Sequence, residues 1–483
     1  MIRMMGGLFK TFPLLLVLTC GLAAAADLPR PVRQALRVAG IPQAAVHAVV
    51  QDLAAARPTL SVNARQAVNP ASVMKLVTTY AALELLGPAY RWKTEVYLDG
   101  EDLVLRGYGD PRLNYESFWM LLRNLRGRGL RELRGDVVLD RSYFGPVANG
   151  RVDDDVFRPY NVDPDALLVN FKSLRFSFIP ENGAVRVFAE PALPGLEILN
   201  SLKVSGGSCV EGRAFRALIQ ASFQSAPPRA AFTGLYPAEC GERDLNVALH
   251  RPEDYIAGMI RQLWSEMGGS WTGALREGSA SPAARLLYTH ESPPLAEIVR
   301  DINKFSNNVM ARQLYLTLAA EMGGAPADPQ HARHSVRQWL ELKKIRAPEL
   351  VIDNGSGLSR IERASAATLA ALLQAAWRSA VMPEFVASLP VVAMDGTMRK
   401  RLLGERIAGQ AHIKTGLLHD ARSIAGYVLD RHGRRHAVVM IVNHPRAGYS
   451  QEALDALLAW VYEGPTAPAR ARGGPRGGGS QRP

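Results

Sequence analysis

The chain has 483 residues, 47% hydrophobic and 21% charged, which supplies ordinary buried cores and argues against a disordered or collagen-like protein. Its formal charge of +12 includes Arg3 and Lys10 near one end and Arg470, Arg472, Arg476 and Arg482 near the other, so the excess on the body is too diffuse to argue nucleic-acid binding. After residue 26 no run of about 18 apolar residues occurs, which excludes a further transmembrane span.

Arg3 and Lys10 precede an apolar run over 12–22, and Ala24, Ala25 and Ala26 supply small residues for cleavage, so residues 1–26 read as a secretory signal peptide. Cys20 falls inside it. Helical spacing over 31–39, ended by Gly40 and Pro42, is followed by a buried strand over 45–50. Asn69-Pro70-Ala71 is a turn signal, and 73–86 has helical spacing closed by Gly87-Pro88. Beyond Trp92 short strands at 94–98, 103–106, 137–139, 174–178 and 185–188 alternate with Gly, Asp and Pro turns.

Helical periodicity resumes over 252–267 and again from Leu295, where Leu295, Ile298, Val299 and Ile302 mark one face, and a second helix is expected near Asn308. Strands are expected over 409–415, 423–429 and 437–442, the last two flanking the hairpin turn Asp430-Arg431-His432-Gly433. Ser450 is placed as the cap of a helix whose Leu454, Leu457, Leu458 and Val461 face inward. Residues 466–483, rich in Gly, Pro and Arg, read as a disordered basic tail. The pattern suggests one α/β core domain, over 27–92 and 283–465, interrupted by strand-rich inserted units over 93–282, with a nested inner part near 179–244 left open.

Cys209 and Cys240 are the two cysteines of the mature chain, and in an oxidising compartment one disulfide between them is the simplest reading. Zinc would need further ligands at motif spacing, and neither C-x-x-C nor H-E-x-x-H occurs. Lysine is scarce, ten residues in all, and only Lys75 has a serine three positions before it. On a helix Ser72 and Lys75 share a face, so the hydroxyl and amine can approach, and a partly buried lysine has its pKa lowered and can take the serine proton. Lys414-Thr415-Gly416 sits on an expected strand, where Lys414 and Thr415 can bind a terminal carboxylate and Gly416 leaves space for a substrate backbone. Ser306-Asn307-Asn308 falls between two helices and can aim Ser306 and Asn308 into a cleft. Each box alone is ordinary; the three in this order form the combination found in β-lactamases and penicillin-binding proteins. No Gly-x-Ser-x-Gly elbow surrounds Ser208 or Ser356, which argues against a Ser-His-Asp hydrolase.

The stretch from Ser72 to Ser306 is too long for one loop and must hold the insertion. With that spacing the chain resembles the low-molecular-mass class C penicillin-binding proteins, D-alanyl-D-alanine carboxypeptidase/endopeptidases of the bacterial periplasm. Pro70-Ala71-Ser72, Gly107-Tyr108-Gly109-Asp110-Pro111, Gly135-Asp136-Val137-Val138-Leu139-Asp140, Asp353-Asn354-Gly355-Ser356-Gly357-Leu358-Ser359-Arg360 and Met394-Asp395-Gly396-Thr397-Met398 carry the resemblance over nearly the whole mature chain.

The resemblance implies a β-lactamase/transpeptidase-like catalytic domain, an antiparallel sheet flanked by helices, with a large strand-rich insertion of one or two subdomains. It implies Ser72 as acylated nucleophile, Lys75 as general base and Ser306 as proton relay. Asn308 would bind the substrate amide, Lys414 and Thr415 its carboxylate, and the backbone N–H groups of Ser72 and Leu417 would form the oxyanion hole. The implied substrates are pentapeptide and cross-linked stem peptides of peptidoglycan; β-lactams would bind covalently, and no metal or organic cofactor is needed. A homodimer is left open. Asn307 and Leu417 depart from the family pattern, which has an acidic residue at the middle of the second box and a polar residue after Lys-Thr-Gly. A β-lactamase-like hydrolase and a non-catalytic peptidoglycan-binding scaffold remain the alternatives.

Overall fold

A computed structural model describes residues 27–147, 153, 155–209 and 218–465. The signal peptide read over 1–26, with Cys20, and the tail read over 466–483 lie outside the described residues. A five-stranded antiparallel sheet forms the centre, in the order Ala411–Leu417, Ala421–Leu429, Arg435–Asn443, Val46–Asp52 and Leu60–Val62. Successive side chains of a strand point to opposite faces, and here both faces are covered. Val438, Met440 and Val442 pack with the helices Arg30–Ala39 and Gln451–Tyr462, whereas Ala437, Val439 and Ile441 pack with Lys75–Leu85, Asn308–Gly323 and Ala366–Trp377. That double cover explains why these strands read as continuous apolar runs and why Lys75–Leu85 and Asn308–Gly323 are buried all round.

The remaining strands form separate sheets. A mixed five-stranded sheet runs Leu275–Glu277, Val137–Asp140, Asp102–Gly107, Lys93–Asp99 and Arg285–Glu291, and a six-stranded sheet runs Ile219–Ser225, Pro228–Pro237, Glu197–Ser205, Ala184–Glu190, Leu174–Glu181 and Arg243–Val247. One apolar core joins them, with the helices Tyr115–Gly127 and Pro252–Glu266 packed into it. Cys209 and Cys240 are joined in a disulfide.

Three local expectations change. The helix Tyr115–Gly127 interrupts what reads as strand-rich sequence: Asn114 caps it by accepting from the Ser117 N–H, and Phe118, Leu121, Leu122 and Leu125 are its buried stripe. The boundary read at 282 falls too early, because Ser281 donates through its N–H and hydroxyl to Asp99, 2.7 Å each, and turns the chain back along the same sheet as Arg285–Glu291. The Ser292 N–H donates to the Trp92 carbonyl at 2.9 Å, and the Ser292 hydroxyl accepts from the Trp92 N–H at 3.0 Å; we place the two crossings between units there. Ser450 stands at the N-cap of Gln451–Tyr462, but its hydroxyl donates back to the Ala447 carbonyl at 2.7 Å instead of accepting from the helix. Among the described residues no helix is long and apolar enough to cross a membrane.

Candidate active site

Ser72 lies in a 3₁₀ turn, Ala71–Met74, that leads into the helix Lys75–Leu85, where the sequence spacing alone predicts an α-helix from residue 73. In a 3₁₀ turn positions three apart eclipse, which brings Lys75 over Ser72 more directly than an α-helix would. Lys75 Nζ donates to Ser72 Oγ at 3.0 Å. Ala71, just before the nucleophile candidate, has a φ of 48°, a left-handed conformation that costs about 1–2 kcal/mol for an L-residue. Its neighbours hold it there. Asn69 Oδ1 accepts the Ala71 N–H at 2.9 Å, Asn443 bridges the Asn69 backbone at 2.8 and 2.9 Å, and the Ser423 hydroxyl donates to the Pro70 carbonyl at 2.6 Å.

Lys75 is completely buried, and its three donors find three acceptors: Ser72 Oγ, Asn308 Oδ1 at 2.5 Å and the carbonyl of Ser356. Burial disfavours the ammonium and pulls its pKa down to about 7, against an opposing pull from the Glu362 charge. Lys414, also completely buried, donates to Ser306 Oγ at 2.8 Å and to the Thr415 carbonyl at 2.7 Å. Its pKa falls well below the ordinary lysine value through burial and through the nearby Lys75 charge. Two lysine amines and two serine hydroxyls are therefore brought close together.

Helix breaks aim the second box. Ser306 ends Leu295–Phe305 in a left-handed conformation, φ 56°, and Asn308 opens Asn308–Gly323. Asn307 is occupied between them: its side chain accepts from the Met310 N–H at 3.1 Å as the helix cap. Ser306 and Asn308 thus reach the two lysines while Asn307 holds the turn. A cavity of about 620 Å³ opens beside this box, between Phe305 and the inserted residues Tyr115, Tyr160 and Glu190.

Lys414, Thr415, Gly416 and Leu417 lie on the edge strand Ala411–Leu417. Thr415 Oγ1 donates to Thr397 Oγ1 at 2.8 Å, which brings the Met394–Met398 segment to the site, and Leu417 is 52% exposed at the rim. On the side where a Cβ would lie, Gly416 is packed against the protein: a Cβ there would sit 2.3 Å from Ser423 Oγ and 2.9 Å from the Pro70 carbonyl. Gly416 lets the strand press against the Ser72 turn. The sequence reading missed the Ser356 carbonyl, Thr397, Asn69 and Glu362. Among the described residues no three His, Cys, Asp or Glu side chains gather where a metal ion could sit.

The model of the D-Ala-D-Ala carboxypeptidase 3 (S13) family matches residues 32–461. The chain belongs to this family. It is 29% identical over 456 residues to a D-alanyl-D-alanine carboxypeptidase of Actinomadura sp. (strain R39), covering 88% of this chain and 82% of that relative. The crystal structure of penicillin binding protein 4 (dacB) from Haemophilus influenzae shares the fold at 20% identity, with a TM-score of 0.72 over 88% of this chain and 99% of that one. The same Haemophilus protein complexed with a β-lactam gives a TM-score of 0.70 at 21% identity, over 89% of this chain and 98% of that one. Membership of the S13 family makes this chain a D-Ala-D-Ala carboxypeptidase with a β-lactamase/transpeptidase-like fold and insertions.

Proposed function

We propose that this S13 peptidase cleaves peptidoglycan stem peptides at Ser72, releasing the terminal D-alanine from D-Ala-D-Ala and opening D-Ala to diaminopimelate cross-links by the same chemistry. The observation that carries the residue roles is the buried Lys75 amine, 3.0 Å from Ser72 Oγ and titrating near 7. In its neutral form Lys75 takes the proton as Ser72 Oγ bonds to the substrate carbonyl carbon. The oxyanion is held by the backbone N–H groups of Ser72 and Leu417. Ser306, hydrogen-bonded to Lys414, relays the proton taken by Lys75 to the leaving nitrogen as the C–N bond breaks, which leaves Lys75 neutral again. Water then attacks the ester carbon, giving a proton to neutral Lys75, which returns it to Ser72 Oγ as that oxygen leaves, and the shortened peptide departs. Asn308 holds Lys75 and is positioned to receive the substrate amide; Lys414 and Thr415 take the carboxylate beside the scissile bond.

The Cys209–Cys240 disulfide supports an oxidising compartment, and we place the enzyme in the periplasm beside its substrate. Mass spectrometry of the intact protein after incubation with penicillin tests the whole scheme. Ring opening leaves the departing group tethered in the path of water, so a long-lived adduct at Ser72 is expected, lost together with D-alanine release in Ser72→Ala. Rapid turnover with little adduct would instead identify a β-lactamase, and no reaction would identify a scaffold.

A further inference from the structure

Glu362 lies outside the three boxes, in the loop after the strongly matching segment Asp353–Arg360, and reads in sequence as an ordinary loop charge. In the structure it is completely buried. Its Oε1 accepts three successive backbone N–H groups, from Asp353 at 3.2 Å, Asn354 at 3.1 Å and Gly355 at 3.0 Å. The next residue, Ser356, presents its carbonyl to Lys75 Nζ, while Thr78, one turn along the Lys75 helix, donates to the Gly355 carbonyl at 2.7 Å. Gly357 completes the fit: a Cβ there would sit 2.0 Å from the Ala71 carbonyl, so this turn presses on the backbone beside Ser72. Among the described residues the second carboxylate oxygen of Glu362 has no hydrogen-bond partner, and neither has the buried Tyr315 hydroxyl.

We propose that Glu362 is a positioning residue for Lys75: Oε1 gathers the turn that aims the Ser356 carbonyl at the amine, and the carboxylate charge biases Lys75 toward the ammonium. A buried carboxylate tying down three N–H groups is more than a turn requires; a neutral amide oxygen would accept the same bonds. Its charge acts on Lys75 across a water-poor interior, where screening is weak. Burial raises the Glu362 pKa to about 7, so the two groups exchange charge over the same pH range. The other groups facing the pair are Asp353 on the turn, Lys414 across the cleft from Lys75, and Tyr315 on Asn308–Gly323 with Arg333 and Arg337 of Pro329–Leu342 beside it.

The inference rests on the proposed role of Lys75 and is tested on the full chain, by following the rate of penicillin adduct formation between pH 5 and pH 9. Glu362→Gln keeps the oxygen acceptor and removes the charge. It should acylate at a similar plateau rate with its acid limb moved down by about one pH unit, because an opposite charge that stabilised the ammonium is gone. Glu362→Ala removes the acceptor as well and should lose about 10²-fold at the plateau, as misplacement of a reacting group does, with its acid limb moved down as in Glu362→Gln. An unmoved acid limb in Glu362→Gln overturns the electrostatic role, and equal losses in both variants with unchanged limbs reduce Glu362 to a fold residue. Should Glu362→Ala not fold, Glu362→Gln decides alone; should Glu362→Gln not fold, the charge serves the fold and the proposal fails. Absence of an adduct on unmutated protein would instead sink the proposed function itself.

Discussion

Replacing Lys75 with methionine keeps the unbranched stem of the side chain and removes its terminal amine, so the two proteins should differ both in reactivity and in how their folding depends on pH. An exposed lysine is neutral in only about 3 molecules in 10⁴ at pH 7, whereas an amine titrating near 7 is neutral in about half of them. Acylation of the unmutated protein should therefore rise about tenfold per pH unit up to pH 7 and level off above it, and Lys75→Met should fall by ~10²–10⁴. The same shift acts on stability. Between the folded value near 7 and the unfolded value near 10.5 the unfolded chain binds the extra proton, so unfolding becomes harder as pH rises through that window, and the full penalty of burying the group is felt below it. One unit corresponds to about 1.4 kcal/mol, so from pH 7 to pH 9 this group contributes a gain of about 2–3 kcal/mol that Lys75→Met lacks. Urea unfolding at the two pH values, with penicillin labelling on the same samples, measures both effects. An acid limb near pH 9, or identical pH slopes of stability in the two proteins, would refute the burial argument.

Lys414→Ala should weaken kcat/KM on peptides ending in a free carboxylate by ~10–10²-fold, the loss of a charge-assisted hydrogen bond of about 1.5–3 kcal/mol; equal activity on a D-Ala-D-Ala peptide would contradict its role. Gly416→Ala should slow acylation and destabilise by about 1–3 kcal/mol, because its Cβ meets Ser423 Oγ and the Pro70 carbonyl and pushes the strand off the Ser72 turn. Unchanged labelling kinetics would show that the strand can shift freely. Cys240→Ser opens a cross-link spanning 31 residues and should cost about 3–4 kcal/mol of the inserted unit's stability in the chain-entropy model, read from thermal unfolding with and without reductant. Asp430 accepts from the backbone of His432 and Arg434 and from the side chains of Arg434 and His436, which hold its pKa down to about 2. Since its folded value is the lower one, its contribution is complete above pH 4 and fades as pH falls toward 2; Asp430→Asn should flatten that acid loss in chemical denaturation.

The candidate site residues that the structure brings together were legible because their chemistry is carried by residue type and short spacing: a serine three before a scarce lysine, and a Lys-Thr-Gly on an apolar strand. The central strands were legible for the same kind of reason, since both faces are buried and each run is apolar throughout. What stayed hidden depends on contacts between distant segments. The carbonyl of Ser356 reaches Lys75 through backbone, which leaves no mark on side-chain type, and Glu362 looks like any loop carboxylate until its neighbours enclose it. The close packing of Gly416 against Pro70 and Ser423 was likewise hidden, because only the fold brings those distant segments beside the strand. The helix Tyr115–Gly127 was a different kind of miss: its stripe of Phe118, Leu121, Leu122 and Leu125 was present, and the strand texture around it outweighed the local period.

The pairing of Val46–Asp52 with Arg435–Asn443 has a kinetic meaning. Val46 lies opposite Val442, so the middle of the central sheet closes only when segments on either side of the whole insertion meet. Contacts so remote along the chain make collapse to the native sheet slow and leave unpaired strand edges exposed meanwhile. Ser72 and Lys75 sit on the early side of that gap and Ser306 and the Lys-Thr-Gly strand on the late side, so a nascent or half-folded molecule carries the proposed nucleophile and base without the groups proposed to relay the proton and hold the substrate. Covalent capture of a β-lactam is thus a report on completed assembly, and a refolding time course followed by adduct formation should lag behind one followed by helix content.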